Sequence, residues 1–314
     1  MKRLFKSLFL RALVTVSILG YLVTRVDLTD VFLAAKQISP TVWISLVLVL
    51  VLDRLVAASR WITLIWATGT PLKFSYGLRL FMTSSFLGSF FPGGVGGDIT
   101  RTWLLASSTD RTEESIVVAV VDRWLGLASI LTLGVIGLWN WPGIVDERIR
   151  LGMYGLFVMV TITGTFGLLA DLIVPQLFSK TWNRNSFWIR ISSVSVVIRR
   201  FRYQWTSLIL TIGYAFILQF IRILLAWIIG TGLGVDVALS YYFVVMPVAI
   251  VVILLPISIS GLGPAQGIMM WMLQPLDVAD STSFTMSTIF ILLGFVANLP
   301  GAVLYLQNRH KQST

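Results

Sequence analysis

The sequence predicts an all-α, polytopic integral membrane protein, and three observations carry that reading. Of its 314 residues 56% are hydrophobic and only 12% charged, with a mean hydropathy of +0.87. Several apolar runs reach the ~20 residues needed to cross a ~30 Å hydrocarbon core. The basic residues fall mainly in the short segments and tails between those runs. A net charge of +10 would suggest nucleic acid in a soluble domain. Here the positive-inside bias explains it more simply, and no nucleic acid partner is expected.

The first span runs over Leu8–Val23, behind Lys2, Arg3 and Lys6. Arg25 and Asp27 follow with no small-residue cleavage site, so the span is retained rather than removed as a signal peptide. Val42–Ala67 crosses next and holds Asp53, Arg54 and Arg60 within its apolar run. Charge there must face other helices or a wet cavity, because exposure to lipid is costly. Tyr76–Ala106 is broken by glycine and proline, and its two apolar arms are each too short to cross. A re-entrant hairpin is expected, since irregular backbone survives at membrane depth only where protein or water covers it.

Thr112 and Glu113 open the span Ser115–Trp139, which carries Asp122 and Arg123, and Leu151–Val174 crosses again. Lys180–Arg202 is basic and aromatic together, as a cytoplasmic interfacial segment would be. Ser207–Thr231 contains Arg222, Val235–Leu255 leads into a second break, and Phe284–Leu306 is the last span. The total is about seven to eight transmembrane helices with two re-entrant or broken segments. The chain is one transmembrane domain over 1–314: a first half at 1–175, a basic cytoplasmic linker at 176–206 and a second half at 207–314. Termini and linker on one cytoplasmic side require each half to cross an even number of times. The first half does so with four spans and a hairpin; the second, with three spans, needs its break to complete a crossing. A pseudo-repeat of two halves is expected from the paired breaks. Trp139, Trp141, Tyr241 and Tyr242 are assigned to the interfacial aromatic belt.

The first break reads Ser84-Ser85-Phe86-Leu87-Gly88-Ser89-Phe90-Phe91-Pro92-Gly93-Gly94-Val95-Gly96-Gly97-Asp98-Ile99-Thr100-Arg101, and the second is Pro256-Ile257-Ser258-Ile259-Ser260-Gly261-Leu262-Gly263-Pro264. Paired interruptions of this kind point to broken helices at a binding site within the bilayer. Gly93, Gly94, Gly96 and Gly97 would let backbone N–H groups approach a ligand, and the helix opening near Asp98 would offer donors to an anion. Asp98 could instead cap that helix or pair with Arg101 three residues on. The apolar runs hold acids at 53, 98 and 122 against bases at 54, 60, 101, 123 and 222, a surplus of two positive charges. Arg60, Arg101, Arg123 and Arg222, with Asp122 beside them, are candidate contacts for a phosphate, whose geometry the guanidinium fork matches. Snorkelling to an interface is the plainer alternative. Ser258, Ser260, Gly261, Gly263 and Gln266 could bind a headgroup or tie off carbonyls freed by the prolines.

Catalysis is not expected. The single histidine, His310, lies in the basic tail and there is no cysteine, so no histidine relay, thiol chemistry or zinc cluster can be assembled. No metal or other cofactor is expected. Asp280, with Ser281 and Thr282, reads as the cap of the last helix.

Phe91-Pro92-Gly93-Gly94-Val95-Gly96-Gly97-Asp98, then Arg101, then Val121-Asp122-Arg123-Trp124-Leu125-Gly126-Leu127, resemble the pattern of the lysylphosphatidylglycerol synthase transmembrane, or flippase-like, family. Leu255-Pro256-Ile257-Ser258-Ile259-Ser260-Gly261-Leu262-Gly263 and Leu299-Pro300-Gly301 resemble its C-terminal signature. The resemblance implies a helical domain of the cell inner membrane that moves lipids between leaflets, with anionic-phosphate lipids as partners and aminoacylated phosphatidylglycerol as the best-known cargo. A homo-oligomer is compatible with it. The family usually carries glutamate where this chain has Gln266. Bifunctional members append a soluble aminoacyl transferase, absent up to Thr314, so synthesis of the lipid is not expected. Two alternatives stay open: a membrane-embedded enzyme or glycosyltransferase subunit acting on a lipid carrier, and a non-transporting scaffold.

Overall fold

The computed structural model describes residues 16–24, 27–89, 96–141, 143, 145–169, 197, 200, 203–254, 258 and 261–312. Among them are eleven α-helices and no strand. They are α1 (Leu28–Gln37), α2 (Pro40–Ala67), α3 (Phe74–Gly88), α4 (Gly96–Thr109), α5 (Thr112–Asn140) and α6 (Glu147–Leu168), then α7 (Trp205–Gly232), α8 (Leu239–Leu254), α9 (Pro264–Leu273), α10 (Asp280–Val296) and α11 (Pro300–Gln312). Residues 16–23, the described part of the first span, are also helical.

Local chemistry sets the helix starts. Asp27 accepts from the Thr29 N–H at 2.7 Å and opens α1; this backbone hydrogen bond holds its carboxyl below the ordinary aspartate range. Ser39 caps α2, with Pro40 at its first position. Asp146 accepts from the Arg148 N–H at 2.8 Å and opens α6. Asp280 departs from expectation: the cap residue of α10 is Ala279, and Asp280 lies inside the first turn, where its charge suits the helix dipole.

Among the described residues, five helical segments are long and apolar enough to cross a membrane: Pro40–Ala67, Thr112–Asn140, Glu147–Gly167, Trp205–Gly232 and Asp280–Gln307. The last contains a break between α10 and α11, where Pro300 has no N–H for the helix ladder. The segment expected to cross at Val235–Leu255 is not among them. Its helix α8 has 16 residues, about 24 Å at 1.5 Å per residue, and contains Pro247.

The reason is that the chain folds back. α2 and α7 pack antiparallel: a Cβ on Gly232 would lie 2.9 Å from Val42, while Arg200, just before α7, donates to the Thr68 carbonyl at 2.9 Å. α3 starts just after Gly69, and α4 ends just before Arg111, which donates to the Gly69 carbonyl at 3.2 Å. Both outer ends of this pair are therefore on the Gly69 face. α8 starts beyond Gly232, and the Tyr241 hydroxyl donates to the Met272 carbonyl at the end of α9, so the second pair has its outer ends on the opposite, Gly232 face. Each half thus contains the order long span, two short helices, long span, as α2–α5 and as α7–α10, with the second set inverted. The starts Pro40, Phe74, Gly96 and Thr112 recur as Trp205, Leu239, Pro264 and Asp280 at a nearly constant interval. With the second pair returning to its own face, the second half crosses twice, and the odd count expected from the sequence disappears.

This folding also moves Tyr241 and Tyr242 out of the aromatic belt. Both are fully buried, Tyr242 against Gly230 and Tyr241 edge-on to Trp141 at 5.9 Å. Trp139 is fully exposed, as a belt residue would be.

Two large apolar clusters form most of the core among the described residues, with a small third around Leu22, Met270 and Phe284. One joins the C-terminal part of α2 to α3, α4 and the start of α5, around Trp61, Phe81 and Val118. The other joins the N-terminal part of α2 to the end of α5 and to α7, α8, α9 and α10, around Leu46, Ile130 and Tyr242. Asp53 and Arg54 fall between the α2 residues of the two clusters and Arg222 between those of α7, while Arg60 and Asp122 lie among residues of the first.

Candidate functional site

The charged residues within the apolar runs pair across helices. Arg54 donates to Asp53 Oδ2 from Nε (2.9 Å) and Nη2 (2.5 Å), and Arg222 Nε donates to Asp53 Oδ1 at 3.3 Å. Arg54 Nη1 donates to Asn298 Oδ1 at 2.9 Å, and Asn298 Nδ2 donates to Ser89 Oγ at 2.8 Å. A continuous polar chain therefore runs from α7 through α2 and the α10–α11 break to the end of α3.

Asp98 lies in the first turn of α4. Its Oδ1 accepts from Arg101 Nη2 at 2.5 Å and its Oδ2 from Arg123 Nε, so the carboxylate is committed to two arginines. Arg101 also stacks over the Phe81 ring at 4.8 Å, a cation–π contact that fixes its guanidinium. Arg60 Nε lies 2.8 Å from Asp122 Oδ1, but off the N–H direction, so the two form an ion pair without a hydrogen bond.

These residues enclose a cavity of about 240 Å³ between α2, α4, α5, α7 and α8. Four arginines, 60, 101, 123 and 222, and two aspartates, 98 and 122, line it, which leaves two positive charges in excess. Arg60 Nη1 and Gln219 Oε1 are buried without a hydrogen-bond partner, while Gln219 Nε2 donates to the Gly126 carbonyl at 3.0 Å. Buried polar groups are nearly always satisfied, so the missing partners mark a place for a polar ligand or water.

A second cavity of about 340 Å³ adjoins it, lined by Arg54, Ser85, Gly88, Gly97, Ile253 and Asn298. Gly97 and Ile253 here neighbour Asp98 and Leu254 of the first cavity, so the inner ends of both short-helix pairs converge on the same region. Within the first pair the backbones approach closely: a Cβ on Gly88 would lie 2.2 Å from the Gly97 nitrogen.

Of the residues expected from sequence, Arg60, Asp98, Arg101, Asp122, Arg123 and Arg222 come together in the first cavity, and Gly97 lines the second. Gly96 opens α4 and is buried. Gly93, Gly94 and Ser260 lie outside the described residues. Ser258 is buried and lines neither cavity. Gly261 (φ +78°) and Gly263 (φ +92°) form a left-handed turn that only glycine adopts readily. Gln266 is 1% exposed; its Oε1 accepts from the Gly263 N–H at 2.8 Å, which closes the start of α9. Sequence reasoning missed Gln219 and Asn298, each a carboxamide inside an apolar run, which was the signal available.

Buried charge between antiparallel spans and two oppositely inserted short-helix pairs define a polytopic membrane protein with a polar centre. The chain belongs to a family described as the lysylphosphatidylglycerol synthase TM region, whose sequence profile matches residues 8–301. No curated protein and no solved structure matches the chain. Membership associates the protein with membrane lipids.

Proposed function

We propose that the protein moves a phosphate-bearing lipid between leaflets of the cytoplasmic membrane, with the headgroup passing through the arginine-lined cavity. The observation that carries this is the cavity itself: four arginines against two aspartates, with the Arg60 Nη1 donor unsatisfied. An anionic headgroup would neutralise the excess charge, and fork-shaped bonding to phosphate suits arginine. The protein makes and breaks no covalent bond in this reading. Its Gly69 face, which carries Arg111 and Arg200, is the cytoplasmic one by the positive-inside bias.

The test is leaflet exchange of labelled lipids in liposomes, across a panel of anionic and zwitterionic headgroups. Arg101→Ala and Arg123→Ala are expected to abolish exchange, with thermal unfolding in detergent confirming a folded protein. Normal exchange in both folded variants sinks the site. Formation of a modified lipid without exchange would favour an enzyme, and loss of function only on neutralising the 180–202 segment would favour a scaffold.

A further inference from the structure

A groove of about 820 Å³ lies between α4 and α5 on the outside of the bundle. Ile99 and Val120 line it and are each 62% exposed, and Trp103 and Ile116 are exposed beside them. It runs from Ser107 and Thr112, where the α4–α5 connection meets the Gly69 face, inward to Asp98 and Arg123. Both of those residues also line the arginine-rich cavity. The Asp98–Arg123 ion pair is therefore the partition between an apolar, outward-facing groove and a positively charged chamber.

An apolar surface of this size on a spanning helix faces acyl chains. What distinguishes this groove from ordinary lipid-facing surface is where it ends. A ligand that matched both compartments would carry a hydrocarbon tail and an anionic head joined within a few ångströms, as a phospholipid does and a free inorganic anion does not.

We infer that lipid reaches the cavity sideways from the leaflet on the Gly69 face, its acyl chain seated between α4 and α5 and its phosphate exchanging with Asp98 for Arg123. The exchange substitutes one anion for another at the guanidinium, so opening the partition strands no buried charge. Arg101 keeps hold of Asp98 while Arg123 turns to the phosphate. This inference rests on the proposed transport and adds its route and the leaflet it draws from.

The experiment uses phosphatidylglycerol with a fluorescent acyl chain in proteoliposomes. Filling the groove with Ile99→Trp and Val120→Trp together is expected to slow exchange at least tenfold. Unchanged exchange in that variant, with exchange abolished by Arg101→Ala, overturns the lateral route and leaves transport standing. Unchanged exchange in both overturns transport itself. A second readout does not depend on the variants folding: phosphatidylglycerol with a diazirine on its acyl chain is expected to label peptides of α4 and α5 in the unaltered protein. Labelling confined to other helices overturns the route.

Discussion

Asp53 of α2 accepts from Arg222 of α7 at 3.3 Å across the antiparallel pair, while its neighbour Arg54 occupies the other carboxylate oxygen. Asp53 is 3% exposed and holds two guanidinium groups, so the two ends of the contact are unequal. Asp53→Asn leaves two arginines without their anion and is expected to cost about 3–5 kcal/mol, the usual range for breaking a buried ion pair. Arg222→Gln leaves Asp53 with Arg54 and is expected to cost about 1.5–3 kcal/mol, one charged hydrogen bond. Unfolding in mixed micelles measures both, and equal losses would contradict the asymmetry.

The end of α3 tolerates no added carbon at Gly88. A Cβ on Gly88 would lie 2.2 Å from the Gly97 nitrogen and 2.3 Å from its Cα, both backbone atoms that cannot turn aside. Gly88→Ala is expected to prevent recovery of folded protein from detergent extracts. Gly155→Ala is the matched control: nothing lies within 4 Å of its added carbon, and in a helix interior alanine is favoured by about 0.5–1 kcal/mol. Melting curves of the two variants that coincide would refute the contact.

Gln266 separates a structural from a binding role at the second break. Gln266→Met leaves the Gly263 N–H without its acceptor and is expected to destabilise by about 1–3 kcal/mol. Lipid exchange per folded molecule is expected to stay within twofold of the unaltered protein. A tenfold loss of exchange in a protein of normal stability would instead place Gln266 at the ligand.

Much of the site was legible because its chemistry is conspicuous in apolar sequence. Charges at 53, 60, 122 and 222 inside membrane-length runs, and at 98 in the first break, have few places to go; the structure gathers 60, 98, 122 and 222 around one cavity, with Asp53 bonded to Arg222. The glycine and proline breaks likewise announced the two short-helix pairs. Less was visible where a residue's role depends on which elements close together. Asn298 meets Arg54 across 244 residues of chain, and nothing local to either predicts the other. Tyr241 and Tyr242 look like belt residues as long as Val235–Leu255 is read as a span; once α8 folds back against α9, the same two rings are interior. Gln266 is a cap only because α9 begins at Pro264, a boundary that periodicity does not fix. The paired breaks announced a pseudo-repeat of two halves, but its inverted form lies in helix starts and directions, which the residues alone do not give.

The distance along the chain between Asp53 and Arg222 has a consequence for how the protein is made. At roughly 5–20 residues per second, the ribosome delivers Arg222 about ten to thirty seconds after Asp53 has entered the membrane. Throughout that interval α2 must carry an acid in its apolar middle. Arg54, bonded through two nitrogens to the same carboxylate, is already present and neutralises Asp53, while Arg60 of the same helix waits for Asp122. The doublet therefore serves as a self-contained insertion intermediate, and Arg54 stands chaperone to Asp53 before α7 exists.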